Sequence, residues 1–222
     1  MRKIAITFAD EKYQLTLKRF QKQLIECGSF DEVIAYTPRD FDKEFLTKHQ
    51  DFINKNSRGY GYWIWKPYLI YKTLTEKCKE GDILFYADAG CTLSKPVTNL
   101  IDFCKQSQFG VIAGPSCLVR EFTKMDLFSA IGIPFEQMKD KWMVEAGRLV
   151  VQKRDHTMNF IKEWWKCSQQ YHLIDDTPSI EPNHPGFQDH RHDQSIFTLL
   201  AYKYGVHVIP YEGTVEATRL KY

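Results

Sequence analysis

Apolar residues fall into two spacings along this chain, and the alternation of the two spells an α/β protein. Residues 3–9 (KIAITFA) form a short, β-rich apolar run that reads as an opening strand. Tyr13, Leu17, Phe20, Leu24 and Cys27 then recur at helical spacing, with Gly28 placed to end the helix. Residues 33–36 read as a second strand, closed by Thr37-Pro38. Strand, helix and strand in succession predict a parallel pair joined by a right-handed crossover. Residues 40–57 are polar and partly helical in pattern. Pro67 fits the first turn of a helix through Leu69, Ile70, Leu74 and Cys78. Ile83–Ala87 is a continuous apolar run, the pattern of a central strand buried on both faces, and it ends at Asp88-Ala89-Gly90.

Further strands are expected at 109–113, 149–151 and 206–209. An amphipathic helix over 155–171 carries Phe160, Ile161, Trp164 and Trp165, with Asp155 near its N-cap. Residues 173–192 hold three prolines, three histidines and four acidic residues without periodicity. A loop of that length inside a compact domain is usually functional. Asp193 opens a last helix with Ile196, Phe197, Leu199 and Leu200, stopped by Gly205. No repeat, low-complexity tract or linker interrupts the 222 residues, so one domain spanning 1–222 is expected.

Composition narrows the function classes. Basic and acidic residues nearly balance, 30 against 28, which gives no electrostatic case for a nucleic-acid partner. Aromatic residues reach 14%, material that suits stacking on sugars and bases and equally an ordinary core. The six cysteines include no C-x-x-C pair and read as reduced, mostly buried thiols of a cytoplasmic compartment. No run approaches the ~18 apolar residues that cross a bilayer, so any membrane contact is expected to be peripheral.

Three constellations could carry chemistry. Asp88 lies just past the end of a strand, where open α/β sheets bind ligands, and a carboxylate there can hold a divalent cation against a diphosphate. The same Asp-Ala-Gly also suits a plain turn. The segment from Arg58 to Pro67 (RGYGYWIWKP) offers close backbone approach at its glycines, Arg58 and Lys66 for phosphate oxygens, and aromatic faces. Read blandly, it is a tight turn followed by core aromatics. Trp63 and Trp65 alternate, so at most one face of that pair need be functional. The third is His190-Arg191-His192-Asp193-Gln194, either an active-site rim or a helix cap. With His184 or Asp189, the pair His190 and His192 could form a zinc site. Glu145-Ala146-Gly147, before the strand at 149–151, permits close approach and says little alone.

In this order the pieces resemble the GT-A-fold glycosyltransferases, in particular the compact glycogenin-like and lipooligosaccharide galactosyltransferase type. They are similar too to short bacterial and chlorella-virus transferases, at the level of motif order from Lys3 to Pro210. Tyr86-Ala87-Asp88-Ala89-Gly90 lies where that family has Tyr-x-Asp-x-Asp, with Gly90 in place of the second carboxylate. Glu145-Ala146-Gly147 lies where it has Asn-Ala-Gly, lining the donor sugar. Asp193-Gln194-Ser195 resembles its Asp-Gln-Asp segment beside the anomeric carbon.

The resemblance implies a single GT-A-like, Rossmann-like α/β domain with a mixed, mostly parallel central sheet flanked by helices. It also implies transfer of a sugar, a hexose from a UDP-sugar, to a glycan, glycolipid or glycoprotein, in the cytoplasm of a bacterial or virus-infected cell. Phe8, Ala9, Asp10, Arg58, Trp65, Lys66, Asp88, Ala89 and Gly90 are then the donor and nucleotide residues. Glu145, Ala146, Gly147, His190, His192 and Gln194 become the sugar and acceptor residues. Asp88 is the metal ligand for Mn²⁺ or Mg²⁺, and Asp88 with Asp193 the catalytic pair. With one signature carboxylate replaced, the alternatives are a carbohydrate- or nucleotide-sugar-binding protein that lost catalysis and a zinc hydrolase built on the histidine loop. A nucleotidyltransferase would need a glycine-rich basic loop after the first strand, where this chain has Asp10-Glu11-Lys12-Tyr13.

Overall fold

The computed structural model describes residues 1–107, 109–209 and 213–218, with side chains outside 109–116 and 209. Pro210, the last residue of the motif-level resemblance, lies outside the described residues. Six strands form one sheet: β1 (Lys3–Phe8), β2 (Glu32–Tyr36), β3 (Ile83–Ala87), β5 (Phe109–Leu118), β6 (Trp142–Gln152) and β7 (His207–Ile209). They are ordered β2-β1-β3-β6-β5-β7. A separate two-stranded piece pairs β4 (Thr92–Leu93) with β8 (Val215–Glu216) antiparallel.

β1 pairs parallel with β2 and with β3, and β5 pairs parallel with β7. β6 is antiparallel to both its neighbours and alone runs against the rest. The mixed, mostly parallel sheet expected from the resemblance is therefore present.

Strand alternation divides the core between the two faces of this sheet. Ile4, Ile6, Leu84, Tyr86, Leu149 and Val151 point to one face. They pack there with the helices over Trp65–Glu76, Asp155–Ser168 and Asp193–Lys203. Ala5, Ile83, Phe85, Ala87 and Val150 point to the other. That face is covered by the helices over Gln14–Glu26 and Thr98–Ser107, through Phe20, Leu24, Leu100, Ile101 and Cys104. All five residues of β3 are buried, which is why its sequence is a continuous apolar run and not an alternating one.

Register places the site. Ile6 stands opposite Tyr86, so β1 and β3 end side by side, with Ala9-Asp10 and Asp88-Ala89 leaving the sheet together. By the same alternation Asp88 follows Tyr86 to the face covered by Trp65–Glu76 and Asp193–Lys203.

Several element limits differ from the sequence pattern. The strand expected at 149–151 is the end of an eleven-residue strand, so Glu145, Ala146 and Gly147 lie inside β6 and not before it. The ladder continues past β3, with the Asp88 N–H donating to the Gly147 carbonyl at 2.9 Å. The helix marked by Pro67 begins at Trp65 and stops at Glu76, short of Cys78. The helix at 155 has Arg154 as its N-cap, with Asp155 inside the first turn, and it ends at Ser168. All six cysteines are free thiols, and Cys78, Cys91, Cys104 and Cys167 are buried. No helix among the described residues is long and apolar enough to cross a membrane.

Candidate functional site

A cleft of about 840 Å³ opens at the carboxyl ends of β1 and β3. It gathers residues from five separate segments: Phe8, Ala9 and Asp10; Arg58 and Trp65; Asp88, Ala89 and Gly90; Glu145, Ala146 and Gly147; and Gln194. Sequence reasoning had singled out each of these. Four others it named, Lys66, His190, His192 and Asp193, do not line the cleft and are buried behind it.

Asp88 is the exposed end of a buried chain of charge. Lys66, on the first turn of its helix, places Nζ 2.7 Å from Asp193 Oδ2 and 3.4 Å from Asp88 Oδ1. The Tyr86 hydroxyl donates to Asp88 Oδ1, and the Lys66 ammonium lies 5.5 Å from the Tyr86 ring centroid. Side-chain exposure is 3% for Lys66 and 6% for Asp193, against 40% for Asp88. Burial works against the Lys66 charge, but Asp193 and Asp88 together outweigh it and hold the ammonium above its usual pKa. Burial pushes Asp193 up to about 6, with Lys66 pulling the other way. Asp193 is nearly fully buried and does not line the cleft; it holds the Lys66 ammonium that also reaches Asp88.

Gly147 is required by the same carboxylate. A Cβ added there would lie 2.7 Å from Asp88 Oδ2, inside contact distance. Gly147→Ala is expected to turn the Asp88 side chain away while leaving the sheet paired. Ligand binding in the cleft should then weaken about tenfold or more, with the urea midpoint little changed. Calorimetry and a denaturation curve on one preparation check both halves; unaltered binding would show that Asp88 has room to spare.

Glu145 and Arg148 neutralise each other within β6. Arg148 Nε donates to Glu145 Oε2 at 2.7 Å, and the guanidinium also reaches the Val215 carbonyl. Arg58 is paired at longer range with Asp176 at 3.4 Å and Asp189 at 3.9 Å. Gln194 Nε2 is buried without a hydrogen-bond partner among the described residues, leaving an amide donor at the cleft wall.

The wall made by the RGYGYW segment has an unusual backbone. Gly59, Tyr60, Gly61, Tyr62 and Trp63 have φ of 58°, 55°, 82°, 52° and 61° in succession, one left-handed turn. Its N–H groups are satisfied in helical fashion, Tyr62 to Arg58 O at 2.8 Å and Trp63 to Gly59 O at 3.1 Å. A left-handed conformation costs about 1–2 kcal/mol for each non-glycine residue, so Tyr60, Tyr62 and Trp63 persist in it only because the surroundings over-determine them. A Cβ at Gly61 would meet Ile53 Cγ1 at 2.7 Å. Tyr62 stacks on His192 with ring centroids 4.7 Å apart. The sequence signal was the glycine pair; the handedness and the roles of Tyr60 and Trp63 in the wall were not legible. Thr16 and Arg148 also line the cleft without having been singled out, as does Arg191 of the third constellation.

His190 and His192 are structural in this geometry. The Lys124 N–H donates to His190 Nδ1 at 3.3 Å, so Nε2 carries the proton and donates to the Leu173 carbonyl at 3.0 Å. His192 Nδ1 donates to the Ile174 carbonyl at 2.8 Å. Both histidines tie the long loop to the last helix. His184 is elsewhere, its Nδ1 accepting from the Gly186 N–H, and the zinc site expected as an alternative does not assemble.

Burial holds His190 neutral, down to about pKa 3. That is below the value of the unfolded chain, near 6.5. Above pH 6.5 neither state binds the proton. As pH falls from 6.5 toward 3 the unfolded state takes it up and the folded state does not, so stability falls. Between pH 6.5 and 5 this costs about 2 kcal/mol. Urea curves at pH 7 and pH 5 should show a loss smaller by about that amount in His190→Gln than in the wild type. Equal slopes would remove His190 from the acid response.

Among the described residues no three His, Cys, Asp or Glu side chains gather as a metal-binding group. Asp88 is the one signature carboxylate at the strand end. That suits a hard cation carried largely on a ligand's own phosphates, which needs only one or two protein carboxylates, and does not suit a cage built by the protein.

Comparison with solved structures places this arrangement in a known fold. The chain is similar to a glycosyltransferase involved in the glycosylation of the major capsid of PBCV-1, with a TM-score of 0.53 and 7% identity, over 96% of this chain and 83% of that one. It is similar to mouse xyloside xylosyltransferase 1, with a TM-score of 0.52 and 9% identity, over 96% and 86% of the two chains. The galactosyltransferase LgtC in complex with donor and acceptor sugar analogs overlays more loosely, at 0.47 and 15% identity over 94% and 73%. No protein-family model matches the chain, and no curated protein does. The fold is GT-A-like, the architecture of these glycosyltransferases.

Proposed function

We propose that the chain is a glycosyltransferase that moves a sugar, a hexose, from a nucleotide-diphosphate sugar, a UDP-sugar by resemblance, to a hydroxyl of a glycan, glycolipid or glycoprotein. The observation that carries the reading is the cleft at the ends of β1 and β3, with Asp88 held in its floor by Lys66 and Tyr86. Ligands of open α/β sheets bind in that place. A volume of about 840 Å³ is that of a site for a molecule the size of a nucleotide sugar.

Transfer breaks a glycosidic bond through an oxocarbenium-like transition state, so the site must stabilise the departing diphosphate. Phe8, Ala9 and Asp10 offer a surface for the nucleoside, and Arg58 a guanidinium for phosphate oxygens. Glu145, Ala146, Gly147 and the unpartnered Gln194 amide face the sugar. When bound, Mn²⁺ or Mg²⁺ would be held by Asp88 and would offset the diphosphate charge. Lys66 and Asp193 act through Asp88, keeping its carboxylate aimed.

Titration calorimetry with UDP and GDP, with and without Mn²⁺, tests the reading. One nucleotide is expected to bind saturably and, at ~100 times its dissociation constant, to raise stability by ~2.7 kcal/mol. Absence of binding by either would overturn it. Saturable binding with no sugar transfer or hydrolysis would favour the non-catalytic alternative, for which the glycine at position 90 speaks.

A further inference from the structure

The alternating tryptophans of the RGYGYW turn part company in the fold. Trp65 touches the cleft but is almost wholly buried: it is 4% exposed, its ring lies 4.0 Å from that of Phe8, and its Nε1 donates to the Gly59 carbonyl at 2.9 Å. Trp63 is only partly buried and forms part of the cleft wall. One face of its indole lies directly on Gly59, where an added Cβ would come within 2.5 Å of the ring. Its neighbour at the side is His192, at 5.6 Å between centroids. His192 itself is held at φ 51°. The Trp63 ring therefore adjoins positive-φ backbone on two sides of the sequence: Gly59 in direct contact, and His192 through a tilted ring contact, while His192 itself stacks on Tyr62. Strain kept at a ligand cavity, where a glycine or asparagine would relieve it, marks a side chain whose placement matters.

We propose that Trp63 is a sugar-stacking residue of the cleft. Its cleft-side face takes the C–H face of a sugar ring, the donor's or the acceptor's, and the left-handed turn exists to hold the indole flat for that contact. The electron-rich face of an indole and the polarised C–H groups of a pyranose are complementary, and a ring braced from behind loses little freedom on binding. The inference rests on the glycosyltransferase reading and assigns a specificity-determining residue within it.

Two variants test it. Trp63→Asn keeps a side chain that tolerates left-handed backbone and deletes the ring. Trp63→Phe restores an aromatic face. The probes are UDP, UDP-glucose and UDP-galactose, and then methyl β-galactoside and methyl β-xyloside with UDP present. Trp63→Asn should bind UDP within about twofold of wild type and the sugar-bearing probes about tenfold more weakly, with Trp63→Phe recovering most of the loss. A loss on the UDP-sugars identifies the donor ring, and a loss on the methyl glycosides the acceptor ring. Unchanged binding of every sugar probe, or an equal loss on UDP itself, would overturn the assignment. If circular dichroism shows the Asn variant unfolded, the wild-type indole N–H resonance of Trp63 decides. It should move with the sugar probes and not with UDP; a resonance that stays fixed refutes the contact. A wild type that binds no nucleotide, sugar nucleotide or glycoside fails the glycosyltransferase reading itself, a result distinct from loss of the Trp63 effect alone.

Discussion

Lys66→Met is expected to lower the free energy of unfolding by about 3–5 kcal/mol. The ammonium sits 2.7 Å from an aspartate that is almost fully buried, and removing it leaves that carboxylate without its partner in the helix core. Asp193 is already pushed up to about 6 by burial with Lys66 present. Without Lys66 it should take a proton, and since a raised carboxylate pKa favours the folded state below it, the deficit should be smaller at pH 5 than at pH 8. Lys66→Met with Asp193→Leu should recover most of the lost stability, because an apolar pair of similar volume replaces a desolvated ion pair at little cost. Urea unfolding of the three proteins checks this. A single variant within about 1 kcal/mol of wild type would mean that the pair is already solvated or the aspartate already neutral.

Asp88→Asn is expected to reduce turnover by about 10²–10³-fold with little change in stability, the effect of losing the carboxylate that would hold the cation offsetting a developing anion. The amide has the shape of the carboxylate, so it still fills the space against Gly147 and can still accept from Tyr86. Lys66 keeps its shorter bond to Asp193, and no buried charge is stranded. What is lost is the half-exposed negative charge that faces the cleft. The comparison with Lys66→Met separates the two roles: one variant loses stability, the other keeps its stability and loses most of its turnover. Near-wild-type turnover by Asp88→Asn would take Asp88 out of the mechanism.

The fold was legible where one physical cause dominates. β1, β2 and β3 are short apolar runs between turn residues, and the helices after them follow from spacing, because burial on a sheet leaves a periodic record. β6 was read short because its first half, Trp142–Gly147, mixes an exposed tryptophan and a glutamate with small residues, and its length is set by pairing with β5 and β3. The cleft residues were found through motif order, which ties positions to strand ends whose geometry is fixed by the sheet. Asp193, His190 and His192 carried the right residue types for a rim and are buried outside the cleft lining. Whether a polar side chain faces a ligand or a distant partner depends on tertiary contacts, such as Lys66 from another helix and the carbonyls of Leu173 and Ile174, each of which needs a donor. The turn at 59–63 shows the same limit. Two glycines announce positive φ, but nothing local says that Tyr60, Tyr62 and Trp63 share it.

Consumption of nucleotide sugars is the measurement that bears most directly on the account. Wild-type protein and Asp88→Asn would each be incubated with a panel of UDP- and GDP-sugars, and release of the free nucleotide followed by chromatography. Release from one donor by the wild type, absent or nearly so in the variant, is the predicted result. Release from none, or release at the same rate by both proteins, would contradict it.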